Sequence, residues 1–210
     1  MDDILELWDY RRRVTALYDA ARAGGAGEDP GRRWRAGRDE LFRRSSQSPL
    51  PAGHPARAEG LPFRPYDRAW RVAGRLEPLE AGPGEVPGPA AHSGAGETPM
   101  VPVARVRAAT PAGEVALVLW WLEGYGGGMF LPFRDATNGH GTYGGGRYLL
   151  DTAKGADLGH EGREAVLDFN YAYHPSCAHD PRWSCPLAPP ENRLDVAVPV
   201  GEQLTPAAGA

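Results

Sequence analysis

A mainly β, α+β fold is predicted, with N-terminal helices packed on a curved, largely antiparallel sheet that closes as a barrel or sandwich. Three observations predict it. Apolar residues recur at helical spacing near the start of the chain. Further on, short stretches rich in β-branched and aromatic residues follow one another, with short turns and no helix between them. Gly 28 and Pro 21 among 210 residues exceed the ordinary usage of about 7% and 5%, which suits many turns and argues against a helical bundle. The chain reads as a single domain over 1–210, with a helical arm over 1–45 and a β-rich body over 66–202.

In the arm, Ile4, Leu7, Trp8, Val14, Leu17, Tyr18 and Ala21 mark one face of an amphipathic helix over 2–22. Asp2 and Asp3 suit its positive end, and Gly24-Gly25 stops it. Trp34 and Leu41-Phe42 mark a second helix over 32–44, and the Pro-rich 45–65 is an irregular connection. Strands are predicted at 70–76, 101–108, 114–122, 129–133, 147–151, 165–170 and 194–200. Pro111-Ala112-Gly113 makes a turn, and the unbroken apolar run after Glu114 suits a strand covered on both faces. The stretch 81–99, dense in Gly, Pro, Ala and Ser, is expected to be a flexible loop.

Charge and hydropathy narrow the partners. The net charge is −4, and Arg outnumbers Lys 22 to 1, so the Arg clusters at 11–13 and 43–44 carry little weight. Residues 1–75 carry a net +4 and the remainder −8, which suits a basic arm folded on an acidic body. No nucleic-acid partner is expected, because no recognised binding module surrounds those clusters. No membrane partner is expected either: Val115–Leu122 is the longest apolar run, and a helical span needs roughly 20 residues. The acids of Met1–Glu6 do not suit a secretory signal, so the chain is expected to be cytoplasmic, with two cysteines that have no oxidising compartment to join them. Oligomeric state leaves no mark in the sequence.

Polar side chains gather in two loops, Phe133–Tyr148 and Leu167–Arg193. Their motifs, Phe133-Arg134-Asp135 through Tyr143-Gly144-Gly145-Gly146-Arg147-Tyr148, Asp168-Phe169-Asn170 through Cys177, and Cys185-Pro186-Leu187 through Leu194, resemble the domain of unknown function 1684 family of bacterial and archaeal proteins. Ser48-Pro49-Leu50, Gly60–Phe63 and Pro65-Tyr66-Asp67 extend the resemblance upstream. His174 departs from it, standing where the family usually has Asn. The resemblance implies no reaction.

Chemistry is therefore read from the residues. Arg134 and Arg147 flank a glycine-rich turn, and guanidinium forks with open amides suit a carboxylate, phosphate or sulfate. Asp135, Thr137, Asn170, Glu191 and Asn192 are the further substrate-binding candidates, with Asp168, Tyr143 and His174 as catalytic ones. Each has a plainer role open to it. The arginines pair with Asp135 or Asp168 to pin a loop, Asp168 satisfies amides at a strand end, and Pro186–Arg193 is a stiff clamp. His140, in the Gly-rich tip, is expected in solvent. His174, Cys177, His179 and Cys185 lie close enough in sequence for a zinc site, but C-x7-C is not a usual knuckle, so no metal is assigned. Two thiols or a disulfide remain open, and Cys177 as a nucleophile requires a positioned base.

The leading expectation is an enzyme of unassigned reaction acting on a small anionic metabolite without an organic cofactor. Arg134 and Arg147 hold the anion, and Asp168 and Tyr143 move or orient a proton. On that reading Arg147→Ala abolishes binding and leaves the melting temperature nearly unchanged. The alternatives are a non-catalytic small-molecule binding protein and a Cys/His metal-stapled structural module.

Overall fold

A computed structural model describes residues 1–24, 31–79 and 90–205. Helix α1 spans Asp2–Ala23, with Asp2 and Asp3 at its positive end and Arg22 in its last turn. It stops where Gly24 leaves the helical conformation, as the sequence predicts. Helix α2 (Gly31–Arg44) lies close against it: a Cβ on Gly37 would stand 2.3 Å from Leu17 Cδ2, so any larger residue there requires the Leu17 side chain to move. Helix α3 (Ala56–Glu59) is a single turn in the connection.

Nine strands follow among the described residues: β1 Arg71–Pro78, β2 Ala90–Ala91, β3 Glu97–Thr98, β4 Met100–Thr110, β5 Gly113–Leu122, β6 Gly128–Phe133, β7 Arg147–Asp151, β8 His160–Glu161 and β9 Glu164–Asp168. Seven form one sheet in the order β7-β6-β5-β4-β1-β9-β8, with every neighbouring pair antiparallel. The sheet is mostly a curled half-barrel, with the helices supplied by the N-terminal segment. Register slips at Pro102/Ala104 and at Leu131/Pro132 mark bulges, which bend strands and increase twist. In β4 the burial alternates cleanly, with Ala104, Val106 and Ala108 inward and Arg105 and Arg107 in solvent.

The main core gathers on the concave side around Trp70, Val106, Leu117, Phe133, Leu167 and Phe169. Burying side chains of this kind stabilises the fold by about 1.5–3 kcal/mol each. A second cluster joins α1 and α2 to the body through Tyr18, Trp34, Ala156, Leu158 and Tyr171. Strand β5 changes character along its length. Val115, Leu117 and Leu119 point into the main core, whereas Trp120, across the bulge, packs with Met100, Phe130 and Tyr148 on the opposite face. Both faces are covered only toward its C-terminal end.

Four expectations change. Residues 194–200 make no strand, although Leu194, Val198 and Val200 are buried in the core. The carbonyls of Val198 and Val200 accept from the Arg147 guanidinium instead of from a ladder partner. The predicted strand 165–170 ends at Asp168, whose carboxylate accepts from Asn170 N–H and caps a 3-10 turn over Phe169–Tyr171. Within 81–99, residues 90–98 hold the small β2–β3 ladder, and 81–89 lie outside the described residues. The first two turns of α1 also expose Ile4 and Trp8, so its apolar face packs into the core only from Tyr10 onward.

Asn192 shows how the C-terminal segment is fastened. Where the β5–β6 ladder stops, its carboxamide accepts from Val118 N–H at 2.8 Å and donates to the Val118 and Pro132 carbonyls at 2.9 and 2.6 Å. It fills the gap as a peptide group would, beside a proline that has no N–H of its own. Asn192→Ala leaves three backbone groups unpaired. At about 1–3 kcal/mol for each buried unpaired group, the loss expected in denaturant unfolding is about 3 kcal/mol or more; a loss below about 0.5 kcal/mol would show that water replaces the amide without penalty.

Candidate functional site

The first predicted loop closes on itself. Asp135 accepts from Thr137 N–H and Oγ1–H at 2.7 and 2.5 Å, and Asn138 bonds Asp135 N–H and the Tyr143 carbonyl. Arg147, on β7, is 0% exposed. Its guanidinium pairs with Asp135 at 2.6 Å, donates to Val198 and Val200 carbonyls at 2.9 and 2.5 Å, and stacks over Phe133. Burial pulls its pKa below the ordinary value, and Asp135 opposes that pull. The expectation that Arg147 and Asp135 hold a substrate anion is thereby corrected: both are used inside the protein, where they fasten the strandless C-terminal segment.

Asp168, the predicted proton carrier, is likewise 0% exposed. It accepts from Tyr66 Oη–H at 2.9 Å, Arg71 at 3.3 Å, and the backbone and side-chain amides of Asn170. Asn170 also brackets Asp67 through its N–H and carbonyl. Asp168, Asn170 and Asn192 therefore satisfy backbone and neighbours at strand ends, the plainer role the sequence left open. Glu191 faces solvent. Thr137 is half-buried within the closed loop, and His140 is exposed at its tip.

The two loops do meet, at Tyr143 and His174. Tyr143 N–H donates to His174 Nε2 at 3.1 Å. Because Nε2 accepts, Nδ1 carries the ring proton, and it lies 3.5 Å from Glu202 Oε1. Glu202 is 0% exposed; its Oε2 accepts from Arg38 at 2.9 Å and from His174 N–H at 3.0 Å, and its Oε1 lies 3.2 Å from His179 Nε2. Arg38 sits in a box of Trp34, Phe42, Phe63 and Tyr173, its Cζ 4.5–5.7 Å from their ring centroids. Burial alone would push the Glu202 carboxyl up; Arg38 and the two histidines outweigh it and hold it well below 4.5. Burial also pushes His174 below 6.5, against the pull of Glu202.

His174, His179 and Glu202 bring three potential ligand atoms within 4.8 Å of one another. The tautomer works against a cation there, since a protonated Nδ1 has no lone pair to give. The four Cys/His residues that are neighbours in sequence separate into two pairs in space. The histidines face Glu202, and the thiols of Cys177 and Cys185 face each other, Ser93 and Tyr143.

A space able to hold a ligand is the cavity of about 420 Å³ between the helices and the body. Leu7, Val14, Leu17, Trp34, Phe42, Tyr148, Tyr173 and Trp183 supply its apolar wall, and His174 and Cys185 reach its rim from the second loop. Its charged lining residues are Arg11, Arg38 and Lys154. Sequence reading missed Arg38 and Glu202. Arg38 left a signal, a charge at helical spacing between Trp34 and Phe42 on the apolar face of α2; Glu202, a lone acid after Val198-Pro199-Val200, left none.

The family model described as "Protein of unknown function (DUF1684)" matches residues 57–203. The chain belongs to that family. The DUF1684 match takes in the whole main sheet, both loops and Glu202, and leaves α1 and α2 outside. Among solved structures the chain is similar to an uncharacterized protein of Haloarcula marismortui determined by solution NMR. The two share 29% identity over 83% of this chain and 92% of the other, with a TM-score of 0.59. None of the curated proteins matches.

Two outcomes test these assignments. Arg147→Met strands Asp135 without its partner, and breaking a buried pair this way costs about 3–5 kcal/mol, so a large drop in melting temperature is expected; an unchanged one would return Arg147 to ligand binding. Acid should act in two stages. His174 is held neutral below its ordinary 6.5, so the unfolded chain takes a proton first and stability falls as pH drops through 6.5. Glu202 has a depressed value, so its contribution is present above 4.5 and is lost below it. Glu202→Gln should lower stability at neutral pH and remove the second stage, as read from unfolding midpoints across pH.

Proposed function

We propose that the protein binds a small amphipathic anion, an acyl or aromatic carboxylate, in the cavity between the helical arm and the sheet. The carrying observation is the lining: an apolar and aromatic wall whose charged members, Arg11, Arg38 and Lys154, are all cationic. The volume, about 420 Å³, is in the range of small-molecule sites, about 300–1,000 Å³. An apolar tail removes carbon surface from water against Leu17, Trp34 and Phe42, while a carboxylate meets Arg11 at the edge and shares Lys154 with Asp151, which lies 3.2 Å from its ammonium.

This reading keeps the small anionic metabolite expected from the sequence and moves its place. Asp168 and Arg147 do not serve it, since each is enclosed by its own partners. Binding without turnover is the reading the geometry favours. Among the described residues no helix is long and apolar enough to cross a membrane. The cytoplasm of a bacterium is part of the proposal, because a reducing compartment keeps Cys177 and Cys185 as thiols.

Displacement of the fluorescent anion anilinonaphthalene sulfonate by octanoate and by octanol tests it. Octanoate should bind about tenfold or more tightly than octanol, the equivalent of about 1.4 kcal/mol. Arg11→Ala combined with Lys154→Ala should remove that preference, and Val14→Trp should fill the cavity and abolish both. Equal binding of acid and alcohol, or no effect of Val14→Trp, would overturn the proposal.

A further inference from the structure

The second loop holds a pair of thiols that neither the fold nor the cavity reading uses. Cys185 is buried and rigid: its N–H donates to Ser93 Oγ at 3.2 Å, and Ser93 N–H returns a bond to its carbonyl at 3.0 Å. The chain beyond it lies along β2, with Leu187 N–H donating to the Ala91 carbonyl at 2.9 Å. Cys177 is half-buried on the 3-10 turn Ser176–Ala178, and its Sγ is 3.7 Å from Tyr143 Oη. The two thiols are interacting neighbours, and Ser93, which holds the Cys185 backbone, stands beside Cys177 as well. One sulfur, partly open to solvent, is therefore faced by a second thiol and two hydroxyls. Arg134, half-buried, adds its positive charge beside Tyr143.

We propose that Cys177 and Cys185 form a reversible redox pair, in which Cys177 attacks a hydroperoxide and Cys185 resolves the product to a disulfide. In the first step the Cys177 thiolate attacks the terminal oxygen of the hydroperoxide. An S–O bond forms, the O–O bond breaks, and the departing alkoxide or hydroxide takes a proton; Cys177 is oxidised to a sulfenic acid and the peroxide is reduced to an alcohol or water. In the second, Cys185 gives up its proton and attacks Cys177 Sγ. The S–S bond forms, the S–O bond breaks, and water leaves carrying that proton. A low-molecular-weight dithiol restores both thiols by exchange, itself ending as a disulfide.

The roles are unequal. Donation from Cys185, first, then from Ser93 and Tyr143, outweighs burial and pulls the Cys177 thiol down to about 6. The same contact and burial push Cys185 up, so it keeps its proton until the sulfenic acid has formed. The disulfide would close the loop that carries Trp183 and Ser184, two residues of the cavity wall.

Hydrogen peroxide added to the reduced full-length protein, read by intact mass, thiol counting and peptide mapping, tests the pair. The wild type should lose two hydrogens and both thiols, with Cys177 and Cys185 linked in one peptide pair, and a dithiol should reverse it. Cys185→Ser should stop at a sulfenic acid on Cys177, trapped by dimedone, and Cys177→Ser should trap nothing. Alkylation of Cys177 by iodoacetamide in the wild type should titrate near 6 and not near 9. Oxidation confined to intermolecular dimers, sulfinic acid without a disulfide, or Cys177 that resists peroxide would each overturn the proposal. The wild-type mapping decides even if a variant fails to fold, and none of these readouts depends on what fills the cavity.

Discussion

The Glu202 carboxylate is the constraint on which the arrangement of the arm, the second loop and the C-terminal segment depends. A buried carboxylate survives only when its oxygens are paired. Here the partners come from distant parts of the chain: Arg38 from α2, and His174 and His179 from the second loop. Each partner would itself be a liability without Glu202, most of all Arg38, whose guanidinium is enclosed by four aromatic rings. The cluster therefore gives the helical arm a specific docking position, where hydrophobic contact alone would permit several. His174 fits the same logic: its Nε2 accepts from Tyr143 N–H, which fixes the neutral imidazole in one tautomer and leaves the protonated Nδ1 facing the Glu202 carboxylate.

A second regularity explains why so many polar residues of the two loops are structural. The half-barrel is open, and the segment after Arg193 lies in its core, where Leu194 and Val196 bond the backbone of Arg134 and Ala136 and no strand continues the pairing to Val198 and Val200. Its carbonyls still need donors. Arg147 supplies them at Val198 and Val200, and Asn192 bridges Val118 and Pro132 where the ladder ends. Side chains take over the work of a missing strand. A density of Arg, Asp and Asn on shaped loops thus has a folding explanation as complete as a catalytic one.

The architecture was legible in the sequence because hydrophobic period and turn residues act locally. Arg147–Asp151 forms the strand predicted, the 114–122 run forms β5, and Gly24 ends α1. The stretch 194–200 was misread for a physical reason: alternating Leu194, Val196, Val198 and Val200 looks the same whether its carbonyls meet a strand or a guanidinium. Of the predicted site, the meeting of Tyr143 with His174 is present, but the Arg147 fork is enclosed by its own partners. The cavity was hidden from sequence because its walls come from Leu7 to Cys185, and no spacing rule links a helix face to a loop so far along the chain.

The cavity and the thiol pair share one wall, and that is a consequence of where the second loop must run. His174 at its start is tied to Glu202, and Cys185 at its end is tied to Ser93, so the residues between them are stretched across the space beside α1 and α2. Between those ends His179 faces Glu202 and Arg182 donates to the Ser48 carbonyl, so the turn is tied to the C-terminal segment and the helical connection and not to a strand of the sheet. Cys177 lies on that turn while Cys185 lies on the anchored side. A bond between them would act on the cavity wall and leave the core of the half-barrel alone, because none of the side chains that fasten the sheet belongs to that turn.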